Sequence, residues 1–161
     1  MKLTFLGTGT STGVPSIGCA CEVCRSADPR DNRLRCSALL TVGSNNILID
    51  AGPDFRQQIL RAGSPPLDAL LITHTHYDHV GGIDDLRPYC YPDGFDIYAQ
   101  AYDIDDLKRK VPYCFAEKPY PGAPVLGRLS IFSGRFVINI IQKVGFYNII
   151  TYLWAKIHTY S

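Results

Sequence analysis

The sequence is poor in several things, and each shortage excludes something. No acidic residue follows Glu117, and only four histidines occur in 161 residues. No apolar run reaches the roughly 20 residues of a membrane span. The most apolar window, 136–155, is broken by Asn139, Gln142, Lys143 and Asn148, so short strands are expected there and no membrane partner. The opening Met1-Lys2-Leu3-Thr4-Phe5-Leu6 lacks the basic, apolar and small-residue regions of a secretory signal, so the expected location is cytoplasmic. In that compartment thiols stay reduced, and clustered cysteines more often bind metal than pair. A formal net charge of +1 removes any global electrostatic case for nucleic acid or acidic membranes. The glycine-rich segment Gly7-Thr8-Gly9-Thr10-Ser11-Thr12-Gly13 has no lysine of a phosphate-binding loop and no amphipathic helix behind it. A nucleotide cradle is therefore not expected.

The missing acids divide the chain. Residues 1–118 hold 12 Lys and Arg against 15 Asp and Glu, whereas residues 119–161 hold 4 basic side chains and no acid. The expected organisation is one domain-forming region, 1–118, followed by an atypical tail, 119–161. A shift of reading frame between residues 128 and 142 would explain the tail, and a naturally short variant is the competing explanation.

Hydrophobic patterning gives an α/β architecture. Lys2–Gly7 reads as a strand. Ser37–Val42 and Ile47-Leu48-Ile49 read as a hairpin around Gly43-Ser44-Asn45-Asn46. Pro53 suits the first turn of a helix over about 54–62, closed by Gly63. Residues 69–73 form a continuous apolar run, as in a strand buried on both faces. A short helix to about Leu86, a strand at Phe95–Ala99 and a helix at Tyr102–Lys110 follow. That last helix carries acids early and Lys108-Arg109-Lys110 late, as its dipole prefers.

Three of the four histidines fall within six residues, in His74-Thr75-His76-Tyr77-Asp78-His79. In extended chain, residues i and i+2 project to one side, so His74 and His76 can converge on one ion. Asp78 and His79, where the chain turns toward a helix, can face a second. Imidazole and carboxylate suit Zn²⁺, Mn²⁺ or Fe²⁺. Gly81 and Gly82 let the backbone pass close by. A surface turn with coincidental polar residues explains neither this density of ligand types nor its place at a strand's C-terminal end. A second cluster, Cys19-Ala20-Cys21-Glu22-Val23-Cys24, spaces three thiols for a structural Zn²⁺ that needs a fourth ligand; buried thiols or a disulfide are the alternative. Cys36, Cys90 and Cys114 are isolated.

The histidine loop, with Leu71-Ile72-Thr73 before it and Gly81-Gly82 after it, resembles the signature of the metallo-β-lactamase-fold hydrolases. Leu3-Thr4-Phe5-Leu6-Gly7-Thr8-Gly9 and Leu48-Ile49-Asp50-Ala51-Gly52 extend the resemblance over about residues 2–115. It implies an αββα sandwich, here its N-terminal half with an incomplete second half. It also implies two Zn²⁺ (or Mn²⁺) ions, one on His74 and His76 and one on Asp78 and His79, with Asp50 orienting the loop rather than ligating. The cysteine cluster is similar to that of the cyclic phosphodiesterases of phosphonate degradation. Their activity implies a small phosphodiester substrate, attacked by a metal-held hydroxide. Arg87 is a candidate phosphate contact, with a surface arginine as the alternative. The tRNA 3′-processing endonucleases share the opening motif and are the nucleic-acid alternative, the less favoured one. The family pattern also calls for a third histidine on the first metal, a bridging aspartate and a later histidine. After Glu117 this chain offers only His158. A non-catalytic metal-binding remnant is therefore the other reading, and an exposed sheet face would favour homo-oligomers.

Overall fold

The computed structural model describes residues 1–92, 94–116, 120 and 122–131. His158 and the apolar window 136–155 lie outside the described residues. Six strands form one sheet in sequence order: β1 (Lys2–Gly7), β2 (Ser37–Val42), β3 (Asn45–Ile49), β4 (Ala69–Leu71), β5 (Phe95–Ala99) and β6 (Leu126–Ile131). The first three are joined antiparallel, and β3 through β6 run parallel. Three helices connect them: α1 (Phe55–Arg61), the single-turn α2 (Tyr77–Val80) and α3 (Ala101–Lys110). Among the described residues three 3₁₀ segments, Pro29–Asp31, Ile83–Tyr89 and Pro112–Phe115, lie in the connections.

The hairpin is tighter than the sequence suggests, because Asn45 and Asn46 join β3 and pair with Val42 and Thr41. Pro53 precedes the first helix, whose cap is Asp54. The apolar run at 69–73 keeps only its first three residues as strand. Beyond them, the Thr73 N–H turns to the Asp50 carboxylate instead of a neighbouring strand. The helix expected up to Leu86 is a 3₁₀ segment that runs on to Tyr89.

Strand register explains the core. Leu39, Leu48, Leu70 and Ile97 form one row across β2–β5, and each is buried. Crossovers between adjacent parallel strands are right-handed, so consecutive strand order places all their helices on one face. Phe55 and Ile59 of α1, Ile83 and Leu86, and Ile104 and Leu107 of α3 pack with Leu48, Leu70 and Ile97 of that row into one cluster. Each large aliphatic or aromatic side chain there contributes about 1.5–3 kcal/mol by leaving water. The neighbouring row, Phe5-Ala38-Ile49-Leu71-Tyr98, points to the opposite face and is only partly buried, with Phe5 69% exposed. Helices on one face and an incompletely covered apolar row on the other make a mixed α/β sheet, half of an αββα sandwich.

Candidate metal centre

Ile49 and Leu71 stand side by side in parallel strands, so β3 and β4 leave the sheet at the same edge. Asp50 follows with φ 59, a left-handed conformation that aspartate adopts more readily than most residues. Its N–H donates to the Leu71 carbonyl at 2.9 Å, which aims the carboxylate at the outgoing chain of β4. Oδ1 accepts the Thr73 N–H at 2.8 Å, and Oδ2 accepts the Thr73 hydroxyl at 2.7 Å. Oδ2 also lies 2.8 Å from His79 Nδ1.

These contacts settle the proton positions on two imidazoles. A buried carboxylate accepts, so His79 carries its proton on Nδ1 and presents Nε2 to the site. The Thr73 hydroxyl spends its proton on Asp50 and can only accept from His74 Nδ1, 3.1 Å away. His74 therefore also presents Nε2. One carboxylate thus orients two histidines, one directly and one through a threonine.

The three rings lie close together, with His74 nearer to His79 than to His76, the residue the sequence pairs it with. The His74 centroid lies 4.6 Å from that of His76 and 4.0 Å from that of His79. His76 caps α2, its carbonyl accepting the N–H groups of His79 and Val80. Asp78 Oδ2 is 3.2 Å from His79 Nε2, so the carboxylate faces the nitrogen that a metal would use. Burial, reinforced by His79, lowers the His74 pKa and favours the neutral, ligating form. Burial alone would also lower His79, but the Asp50 hydrogen bond and charge, with Asp78, outweigh it and raise that pKa.

Close backbone approach holds the loop against β3. Ala51 N–H donates to the His79 carbonyl, and Gly82 N–H to the Ala51 carbonyl, both at 2.8 Å. A Cβ on Gly52 would sit 2.0 Å from the Asp78 carbonyl oxygen, and one on Gly82 would sit 2.1 Å from that of Gly52. Side chains at these two positions would push the ligand loop off the sheet edge.

The cysteines form a separate cluster. Among the described residues, Cys19, Cys21 and Cys24 are the one set of three or more such donors whose ligand atoms all lie within 4.8 Å of one another. The histidine-loop donors are spread more widely than that. The Cys24 amide, followed by the Cys19 and Cys24 side chains, lowers the Cys21 pKa. The Ser16 amide pulls Cys24 down, but its thiol neighbours and burial outweigh that and raise it. Both donor sets fit a divalent ion by type: imidazoles with oriented Nε2 atoms plus a carboxylate, and three thiols one ligand short of a tetrahedron.

Arg87, the candidate phosphate contact, is engaged by Asp84 at 3.4 Å and by the Tyr120 hydroxyl at 3.2 Å. Sequence reasoning missed Thr73 and Thr75. Their signal was positional, a hydroxyl residue immediately before each of the first two ligand histidines.

Comparison with known proteins identifies the fold and the family. The β-lactamase superfamily domain matches residues 45–132. A Porphyromonas gingivalis protein named octanoyltransferase is 51% identical over 127 residues, covering 78% of this chain and 26% of that protein. The crystal structure of a diphosphatase from the PhnP family superposes with a TM-score of 0.72 at 40% identity, covering 81% of this chain and 50% of the other. Zn²⁺-bound PqqB from Methylobacterium extorquens shares the fold, with a TM-score of 0.67 at 24% identity, and this chain covers 46% of it. The chain thus spans half or less of the length of each of these proteins. The domain match begins at β3 and takes in Asp50, the histidine loop and β6, and on that ground the chain belongs to the metallo-β-lactamase superfamily.

Proposed function

We propose that this chain forms the metal-binding half of a divalent-metal-dependent phosphodiesterase, acting on a small substrate of cyclic phosphate type. His74, His76, Asp78 and His79 would hold the metal, and Cys19, Cys21 and Cys24 would hold a structural Zn²⁺. The observation that carries the reading is the Asp50–Thr73 arrangement, which fixes two imidazoles with Nε2 directed into one site. Likeness to a PhnP-family diphosphatase at 40% identity supports a phosphate-bearing substrate.

When bound, the divalent metal supplies Lewis acidity toward phosphoryl oxygens and makes water acidic enough to act near neutral pH. The residues of this chain prepare the site for it. Asp50 keeps a proton on His79 Nδ1, and Thr73 passes the same constraint to His74. Neutral His74 offers a lone pair without first losing a proton. The Asp78 carboxylate offsets part of the metal's charge, which leaves an anionic substrate attracted to the remainder.

Elemental analysis of the purified chain combined with hydrolysis of bis(p-nitrophenyl) phosphate tests the proposal. Turnover that disappears in Asp78→Asn is the expected result. Bound metal without turnover would instead support the reading of a non-catalytic metal-binding chain. A chain that holds no ion at the histidines would end both.

A further inference from the structure

Thr75 lies between two proposed ligands, and one face of α3 engages its hydroxyl and its carbonyl. Its N–H faces the Asp103 carboxylate and partly offsets the upward push of burial on that group's pKa. Its hydroxyl donates to Asp106 Oδ2 at 2.5 Å. Its carbonyl accepts from Lys110 Nζ at 2.5 Å, and the same ammonium lies 2.8 Å from Asp106 Oδ2. Asp103, Asp106 and Lys110 are spaced i, i+3 and i+7, so the helix presents them in one stripe. Thr75 and Asp103 are both buried, although Asp103 is a carboxylate whose Oδ2 has no hydrogen-bond partner. Burying a carboxylate in this way is costly.

We propose that this stripe of α3 is a positioning device that clamps Thr75 and thereby fixes how far apart His74 and His76 stand. The chain before and after Thr75 carries the two imidazoles, so holding Thr75 at its hydroxyl and carbonyl restrains the backbone on both sides from rotating. A free peptide could swing either ring away from the ion. Asp50 fixes ring orientation by gripping Nδ1 of His79 and, through Thr73, of His74. The α3 stripe fixes the backbone on which His74 and His76 are mounted. The two supports come from different elements and act on different degrees of freedom.

The inference rests on the histidine loop being a metal site, and the test separates the two ideas. Full-length protein is titrated with Co²⁺ and followed by its ligand-field absorption. The thiolate-to-cobalt charge-transfer band of the cysteine cluster serves as an internal control. If wild-type protein shows no histidine-bound cobalt, the metal reading fails regardless of the clamp. Given binding in wild type, Thr75→Val and Asp106→Asn should each weaken the histidine-site affinity about tenfold and alter its band shape. Thr75→Ser, which keeps the hydroxyl, should restore both. The double variant Thr75→Val/Asp106→Asn should be no worse than either single change, because one bond joins the two groups. Asp106 is part-exposed on α3, so Asp106→Asn gives a reading even if Thr75→Val folds poorly. Unchanged affinity and spectrum in Asp106→Asn, or additive losses in the double variant, would overturn the proposal. So would equal weakening at the cysteine cluster, since that reports general unfolding.

Discussion

The two candidate metal centres are built in opposite ways. The histidine loop stands on the ends of buried parallel strands, with its orienting carboxylate buried beneath it and a helix stripe beside it. The cysteine loop stands on little. Cys19 and Cys21 are exposed, and the turn is held by the Cys19 N–H on the Ser16 carbonyl, the Arg25 N–H on that of Cys21, and the Ser16 N–H on Cys24 Sγ at 3.4 Å. At the first candidate centre the fold's own hydrogen bonds hold the donor side chains. At the second, an ion would make much of the structure, as in small zinc modules.

The largest contrast should come from glycine. In Gly52→Ala the new methyl meets the Asp78 carbonyl, whereas at Gly18 (φ +76) beside the cysteines a Cβ meets nothing within 4 Å. Gly52→Ala should cost about 3 kcal/mol, near the upper end for an inserted methyl. Gly18→Ala should cost only about 1 kcal/mol, through its backbone angle. Urea unfolding of both variants measures the gap, and equal losses would erase the distinction between a scaffold-built and an ion-built centre.

Next comes the orienting carboxylate. Asp50→Asn preserves shape and tolerates the left-handed backbone, but it weakens the grip on His79 Nδ1. Metal affinity at the histidines should fall about 10- to 100-fold, read by calorimetric titration, while affinity at the cysteines stays unchanged.

A smaller effect separates the loops without any substitution. Chelation should speed proteolysis of the cysteine loop several-fold, because its local opening free energy is low. The histidine loop should keep its resistance. Mass spectrometry of timed digests locates the cuts, and early cleavage at residues 74–82 would contradict a preformed site.

The smallest effect is a pH dependence. Hydrogen bonds from Lys110, then Thr75, hold the Asp106 pKa down to about 2 from 3.8. A depressed carboxylate stabilises fully above its unfolded value, and that contribution is lost as pH falls through the folded one. The stability gap between wild type and Lys110→Met should therefore be present near neutral pH. It should shrink as pH drops from about 4 toward 2. Thermal melts at several pH values check it, and a gap that does not narrow would remove the Lys110–Asp106 pair as its source.

Much of this was legible in the residues. Lys2–Gly7, Ser37–Val42 and Phe95–Ala99 appear as strands at the expected bounds because each is short and rich in strand-forming side chains. The His74–His76 pair was visible because i and i+2 share a side in extended chain. β6 was not seen: Gly127, Arg128 and Ser130 break its apolar pattern, and its partner β5 lies some thirty residues earlier. Such pairing is decided by tertiary contacts rather than local preference. The partnership of Thr75 with α3 was hidden for the same reason. Asp103, Asp106 and Lys110 look from sequence like ordinary dipole-compensating charges on a solvated helix, and only the fold brings Thr75 against them.

The whole path from Asp50 to His79 occupies thirty consecutive residues and uses two adjacent parallel strands. Short loops close at modest entropic cost, and domains begin to organise from the N-terminal side during synthesis. The orienting carboxylate, the threonine and the ligand histidines can therefore find one another while the remainder of the polypeptide is still being translated. A nascent chain stalled on the ribosome once α3 has emerged should already compete for a divalent ion.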